Sequence, residues 1–96
     1  ADQTTKIRGM FVHPSQVAEI VRRHPGVQRA RLVVEGTIAD ERMVLHAEHA
    51  SPSDELAQAL VATVRDVTKL RGEVKLVAPG SLAADGKVID DQRSYK

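Results

Sequence analysis

The chain has 96 residues, 42% of them hydrophobic, and its 14 Lys and Arg against 13 Asp and Glu leave a formal charge of +1. That length holds one domain with one modest core. The near-neutral charge, with one Phe, one Tyr and no Trp, argues against general binding to nucleic acid or an anionic membrane, which draws on a basic excess and, for single strands, on aromatic stacking platforms. Cysteine is absent, so disulfides and thiol chemistry are excluded. No apolar run approaches the roughly 18–20 residues of a membrane span. Ala1-Asp2-Gln3-Thr4-Thr5 does not read as a signal peptide, and a cytoplasmic location is expected.

In chain order, Thr5–Arg8 and Met10–His13 read as two short arms around Arg8-Gly9, a small hairpin with Gly9 supplying the turn. Pro14 suits the first position of a helix, where its missing N–H costs nothing. Val17, Ile20, Val21 and His24 then share one helical face, with Glu19, Arg22 and Arg23 mostly off it, and Pro25-Gly26 stops the helix. Val27–Glu35 alternates: Ala30, Leu32 and Val34 to one side, Arg29, Arg31 and Glu35 to the other, a half-buried strand. Gly36–Glu41 reads as a polar connection. Met43, Leu45 and Ala47 alternate with Val44, His46 and Glu48 in a second strand, antiparallel to the first.

Ser53 is a good N-cap, and Asp54 and Glu55 favour the positive end of a helix dipole. Leu56, Leu60, Val64 and Val67 trace a buried stripe running to about Leu70, and Gly72 follows the basic last turn of Lys69 and Arg71. Glu73–Ala78 alternates again, with Val74, Leu76 and Ala78 inward, and Pro79-Gly80 closes it. The order β-β-α-β-β-α-β plus a tail predicts a small two-layer α+β domain over residues 1–96. It has an N-terminal β-hairpin, an antiparallel-rich sheet of about three strands with two helices on one face, and an extended C-terminal tail.

The tail carries the most informative chemistry. Asp85-Gly86 is a strong turn signal, and it sets Lys87 at a tip, where an ammonium can carry a point charge with three N–H donors into a neighbouring site. On spacing alone, Asp-Gly-Lys is a surface turn with a solvated lysine. His13, His24, His46 and His49 form no HxxxH pair, and His46 and His49 face opposite sides of a strand, so no zinc site is expected. His13 and His24 read as capping or packing residues, and Asp90-Asp91 as solvated carboxylates. No P-loop, GxGxxG or Ser-His-Asp pattern is present.

Taken together, Lys6-Ile7-Arg8-Gly9-Met10-Phe11-Val12-His13-Pro14, Val67-Thr68-Lys69-Leu70-Arg71-Gly72 and Gly80–Arg93 resemble the C-terminal lid domain of AMP-forming acyl-CoA ligases, most nearly the phenylacetate-CoA ligase type. The resemblance covers essentially the whole chain. It implies that Lys87 is the lysine that enters the adenylation site, and that Asp2 is the hinge between the large and small domains. It also implies that the Gly9 hairpin, with Arg8 and Lys6 beside it, lines the CoA pantetheine channel after domain rotation. ATP with Mg²⁺ and CoA would then be substrates of a full-length enzyme, none of them bound by this domain alone. The partners would be the large N-terminal domain and an aryl-acetic or related carboxylic acid. Arg22-Arg23 and Arg29-Arg31 would be solvated, or would meet the large domain or a CoA phosphate. Two departures stand out: Ala83 replaces the proline expected after Leu82, and the Gly-Arg expected shortly before Asp2 is missing, so the chain reads as one that begins at the hinge.

Two readings from other classes compete. One is a stand-alone ferredoxin-like module that binds a small metabolite; the other is an interaction domain that dimerises through an exposed sheet edge. In both, Lys87 and Gly9 are unimportant.

Overall fold

A computed structural model describes residues 3–37 and 39–93. Strands β1 (Thr5–Ile7) and β2 (Met10–Val12) form an antiparallel hairpin. Helix α1 (Pro14–Arg23) follows, then β3 (Arg29–Thr37), β4 (Asp40–Glu48), helix α2 (Asp54–Thr68), β5 (Glu73–Val77) and β6 (Ile89–Asp91). The last four strands make one sheet in the order β5-β4-β3-β6. The α+β class, the hairpin and both helices are as expected from the sequence.

The core explains the layering. Leu32 and Val34 of β3, Met43, Leu45 and Ala47 of β4, and Ile89 of β6 point to one side, where they meet Val17 and Ile20 of α1 and Leu60 and Val64 of α2. Ile7 and Val12 plug the hairpin into the same cluster. Both helices therefore cover one face of the sheet through their apolar stripes. The caps act locally: the Ser53 hydroxyl accepts the Leu56 N–H at 3.1 Å at the start of α2, and the Gln16 side chain accepts the His13 N–H at 2.8 Å at the start of α1.

The sheet differs from the expected one in four ways. It has four strands rather than three, because the end of the tail joins it: Leu32↔Ile89, Val33↔Asp90 and Val34↔Asp91 pair β6 parallel to β3. Only β3–β4 is antiparallel, since β5 pairs parallel to β4. A strand that returns through a crossover helix, as β5 does through α2, comes back parallel, whereas a tight turn reverses direction. The connection read over Gly36–Glu41 is itself paired, Gly36↔Glu41 and Thr37↔Asp40. There Gly36 has φ +98°, and a Cβ at that position would stand 2.0 Å from the Asp40 carbonyl oxygen. Strand β5 also ends at Val77, and Ala78 is exposed rather than inward.

With β5 on one edge and β6 on the other, residues 78–88 must cross β4 and β3. They do so on the face opposite the helices, where alternation places Arg29 and Arg31 of β3 and Glu48 of β4. That crossing segment carries Lys87.

Candidate functional site

The crossing segment has little apolar surface to anchor it: Ala83, Ala84, Asp85, Gly86 and Lys87 are all exposed. Directional hydrogen bonds hold it instead, from three elements. Glu48, only 3% exposed, accepts the Leu82 N–H at 2.9 Å. The N–H groups of Leu82 and Gly80 hold its carboxyl below the usual carboxylate range. Arg31 donates from Nε to the Lys87 carbonyl at 3.0 Å, and from Nη2 to the Ala83 carbonyl at 3.0 Å and to Asp85 Oδ1 at 2.5 Å. Gln3, just ahead of β1, accepts the Val88 and Ile89 N–H groups at 2.7 and 3.1 Å and donates to the Gly86 carbonyl at 3.2 Å.

Within this cradle Asp85 Oδ1 also accepts the Lys87 N–H at 2.9 Å, and that bond, with Arg31 nearby, lowers the Asp85 pKa. Gly86 takes φ +75°, a conformation that glycine adopts freely. The backbone of Lys87 is thus fixed at both its N–H and its C=O, while its side chain is half exposed at 51% and its ammonium lies 3.6 Å from Asp90. An exposed pair at that distance is weak and leaves the ammonium able to swing outward. A shallow depression of about 260 Å³ opens beside Lys87, lined by Arg29, Ala83 and Gly86 among others.

The hairpin forms a second tip. Arg8 at φ +49° and Gly9 at φ +83° are the two central residues of a type I′ turn, which requires positive φ at both. A Cβ at Gly9 would meet nothing within 4 Å. Arg8 is folded back onto the domain: Nε donates to the Glu41 carbonyl at 3.1 Å, Nη1 to the Arg71 carbonyl at 3.0 Å, and its N–H to Glu41 Oε1 at 2.8 Å. Lys6 lies over the Phe11 ring at 5.7 Å, a cation–π contact. Met10 and Phe11 leave 44% and 61% of their surface exposed beside the glycine.

Lys87 and Gly9 do not converge. The Lys87 segment is bonded to Arg31, and the Arg8 turn to Glu41, which pairs with Gly36. From Arg31 to Gly36 is five residues of strand, about 17 Å at roughly 3.3 Å per residue. Asp2 lies outside the described residues. Among the described residues no three His, Cys, Asp or Glu side chains come together as a metal site, and no helix is long and apolar enough to cross a membrane. Another surface depression runs along the exposed side of α2, past Val61, Arg65 and Lys69, and neither Lys87 nor Gly9 lines it.

Sequence reasoning misses the residues that hold the site. Alternation places Arg31 and Glu48 on the strand face away from the core and assigns them nothing more, and no pattern singles out Gln3. Arg93 is likewise structural: its side chain, 6% exposed, pairs with Asp91 and Glu41 and donates to the Lys6 carbonyl at 2.7 Å, tying the tail to the hairpin.

The architecture is a known one, that of a small domain found in CoA and acyl-adenylate ligases. Among solved structures, the chain is similar to a domain of phenylacetate-coenzyme A ligase from Bacteroides vulgatus, at 19% identity and a TM-score of 0.84 over 97% of this chain and 95% of that one. It is similar to 2-hydroxyisobutyryl-CoA ligase in complex with 2-HIB-AMP and CoA in the thioesterification state, at 24% identity and a TM-score of 0.81, over 97% of this chain but 22% of that one. A fatty acyl-adenylate ligase, from work on the E. coli and L. pneumophila enzymes, matches at 21% identity and a TM-score of 0.65, over 88% of this chain and 16% of that one. These likenesses establish the fold, and for the latter two proteins the chain spans a small part of their length. No family model matches the chain, and no curated protein matches its sequence.

Proposed function

We propose that this chain is the C-terminal lid domain of an AMP-forming acyl-CoA ligase of the phenylacetate-CoA ligase type. In this reading the parent enzyme joins an aryl-acetic or related carboxylic acid to the α-phosphate of ATP, releasing pyrophosphate. It then transfers the acyl group to CoA, releasing AMP. The observation that carries the reading is the pairing of this ligase-domain fold, over 97% of the chain, with a lysine at an exposed tip whose backbone is held on both sides.

The chemistry fits a lysine there. Carboxylate and phosphate are both anionic, and an ammonium between them stabilises charge as it shifts in the transition state. One such pair at about 4 Å contributes roughly 4 kcal/mol at an effective dielectric of about 20, a rate factor on the order of 10²–10³. The separation of the two tips supports a division of labour: one small active site cannot meet both at once, so Lys87 would serve adenylation and the Gly9 turn thiolation, after a rotation about Asp2. Of the hairpin cations, Lys6 is the better placed to meet a CoA phosphate, since the Arg8 guanidinium is engaged with backbone carbonyls. Mg²⁺ would arrive with ATP on the large domain, the isolated chain would be inactive, and a cytoplasmic location goes with the reading.

Two measurements test it. Immunoblotting of source-cell lysate with an antibody to this domain should show a polypeptide several times larger than 10.5 kDa. In that polypeptide, Lys87→Ala should cut acyl-adenylate formation about 10²–10³-fold and largely spare thioester formation from supplied acyl-adenylate. A band at 10.5 kDa would favour a stand-alone module instead, and equal losses in both half-reactions would overturn the adenylation role of Lys87.

A further inference from the structure

We propose that Arg31 is the positioning residue for Lys87, setting the point from which its side chain departs; the inference rests on the adenylation role proposed above. One guanidinium on β3 reaches three residues of one loop: the Ala83 carbonyl, the Asp85 carboxylate and the Lys87 carbonyl. Asp85 completes the ring by accepting the Lys87 N–H. The loop itself is exposed and nearly without apolar anchors, so these bonds, between the Glu48 bond at Leu82 and the Gln3 bonds at Gly86 to Ile89, set where its tip sits. Arg31 is itself firmly placed, since its side chain is 13% exposed and rises from a strand paired on both sides, to β4 and to β6.

A planar fork with several fixed N–H directions can bond three acceptors at once. A lysine offers a point charge on a flexible stem and cannot hold all three in register. A reacting group displaced by about 1 Å loses on the order of 10²-fold in rate. Arg31→Ala should therefore lower the turnover number of adenylation about 10- to 100-fold with little change in KM for ATP, because Arg31 acts through Lys87 and not on the nucleotide.

The decisive experiment is a double-mutant cycle in the full-length enzyme, read by ATP–pyrophosphate exchange, with hydrogen exchange of the 96-residue chain beside it. If Arg31 works through Lys87, Arg31→Ala adds no further loss once Lys87 is alanine, and Arg31→Lys recovers only part of the activity. The Lys87 amide should exchange faster in Arg31→Ala while the buried amides of Leu45 and Val64 keep their protection. Asp85→Ala, at an exposed position, repeats the test should Arg31→Ala fail to fold.

Losses that multiply in the double variant overturn the proposal, as does a Lys87 amide that exchanges as fast in the unmodified chain. If Lys87→Ala cripples adenylation and Arg31→Ala does not, the adenylation reading stands and the positioning role alone falls. If Lys87→Ala leaves adenylation intact, both fall.

Discussion

Substitution of Gly9 separates backbone strain from a role in catalysis. Gly9 sits at φ +83° with open space where a Cβ would project, so an alanine there meets conformational cost and no clash. That cost is about 1–2 kcal/mol for an L-residue in the left-handed region, offset by roughly 0.4–1 kcal/mol because alanine narrows the unfolded ensemble. The net, about 1 kcal/mol, should lower Tm by roughly 4–8 °C in a domain of this size, measured by thermal unfolding of the chain. Against a typical stability of about 5–15 kcal/mol, the domain stays folded at assay temperature, so any large kinetic loss has another origin. Asparagine tolerates positive φ better than alanine does yet carries more bulk. If the turn lies against the thin arm of CoA, thiolation should fall in the order Gly9, Gly9→Ala, Gly9→Asn, while stability falls in the order Gly9, Gly9→Asn, Gly9→Ala. The opposed orders are the test. Thiolation that simply tracks stability, or adenylation that falls in step with thiolation, would refute the channel role.

Two other glycine positions and one histidine give further checks. Gly36→Ala should cost more than about 2 kcal/mol, because left-handed strain adds to a Cβ placed 2.0 Å from the Asp40 carbonyl oxygen. Gly80→Ala, at φ +85° in open space, should cost no more than the strain alone, and urea unfolding that ranks the two equally would show that β3 and β4 can part without penalty. The His46 pKa is lowered, first by burial and then by Lys75 and Arg31, with Glu35 opposing. The unfolded chain then binds the proton more readily than the folded one. Stability should fall as pH drops through about 6.5, the ordinary histidine value, and level off below the lowered folded pKa. His46→Gln should flatten that slope in urea titrations between about pH 5 and 8; identical slopes would remove the burial argument.

Local pattern made the helices legible. Val17 with Ile20 and Leu60 with Val64 recur at helical spacing, and each stripe is buried as it predicts. The hairpin was legible because Gly9 marks one of the two positive-φ positions of its turn, the other being filled by Arg8. The last strand was not: Ile89 alone of Ile89-Asp90-Asp91 reaches the core, so no alternation announced it, and β3 supplies its pairing from far away in sequence. Alternation correctly put Arg31 and Glu48 on the face away from the helices. It could not show that another segment crosses that face, because their partners lie 52 to 56 and 34 residues on along the chain. For Lys87 the position came from the turn signal and the proposed role from family resemblance; of its backbone restraints, the Asp85 bond to its N–H is local and the Arg31 bond to its carbonyl is long-range.

Gln3 directly follows the residue proposed as the pivot, and its side chain is stitched to Gly86, Val88 and Ile89. If the pivot is Asp2, the lysine segment would ride close to the axis of rotation, and the Arg8-Gly9 turn, at the far end of the hairpin, would ride farther out from an axis that crosses the hairpin. For one angular swing, the lysine would trace a short arc and the glycine turn a long one. A small error in angle would then displace the thiolation tip more than the adenylation tip. Loosening the pivot should blur the second half-reaction before the first.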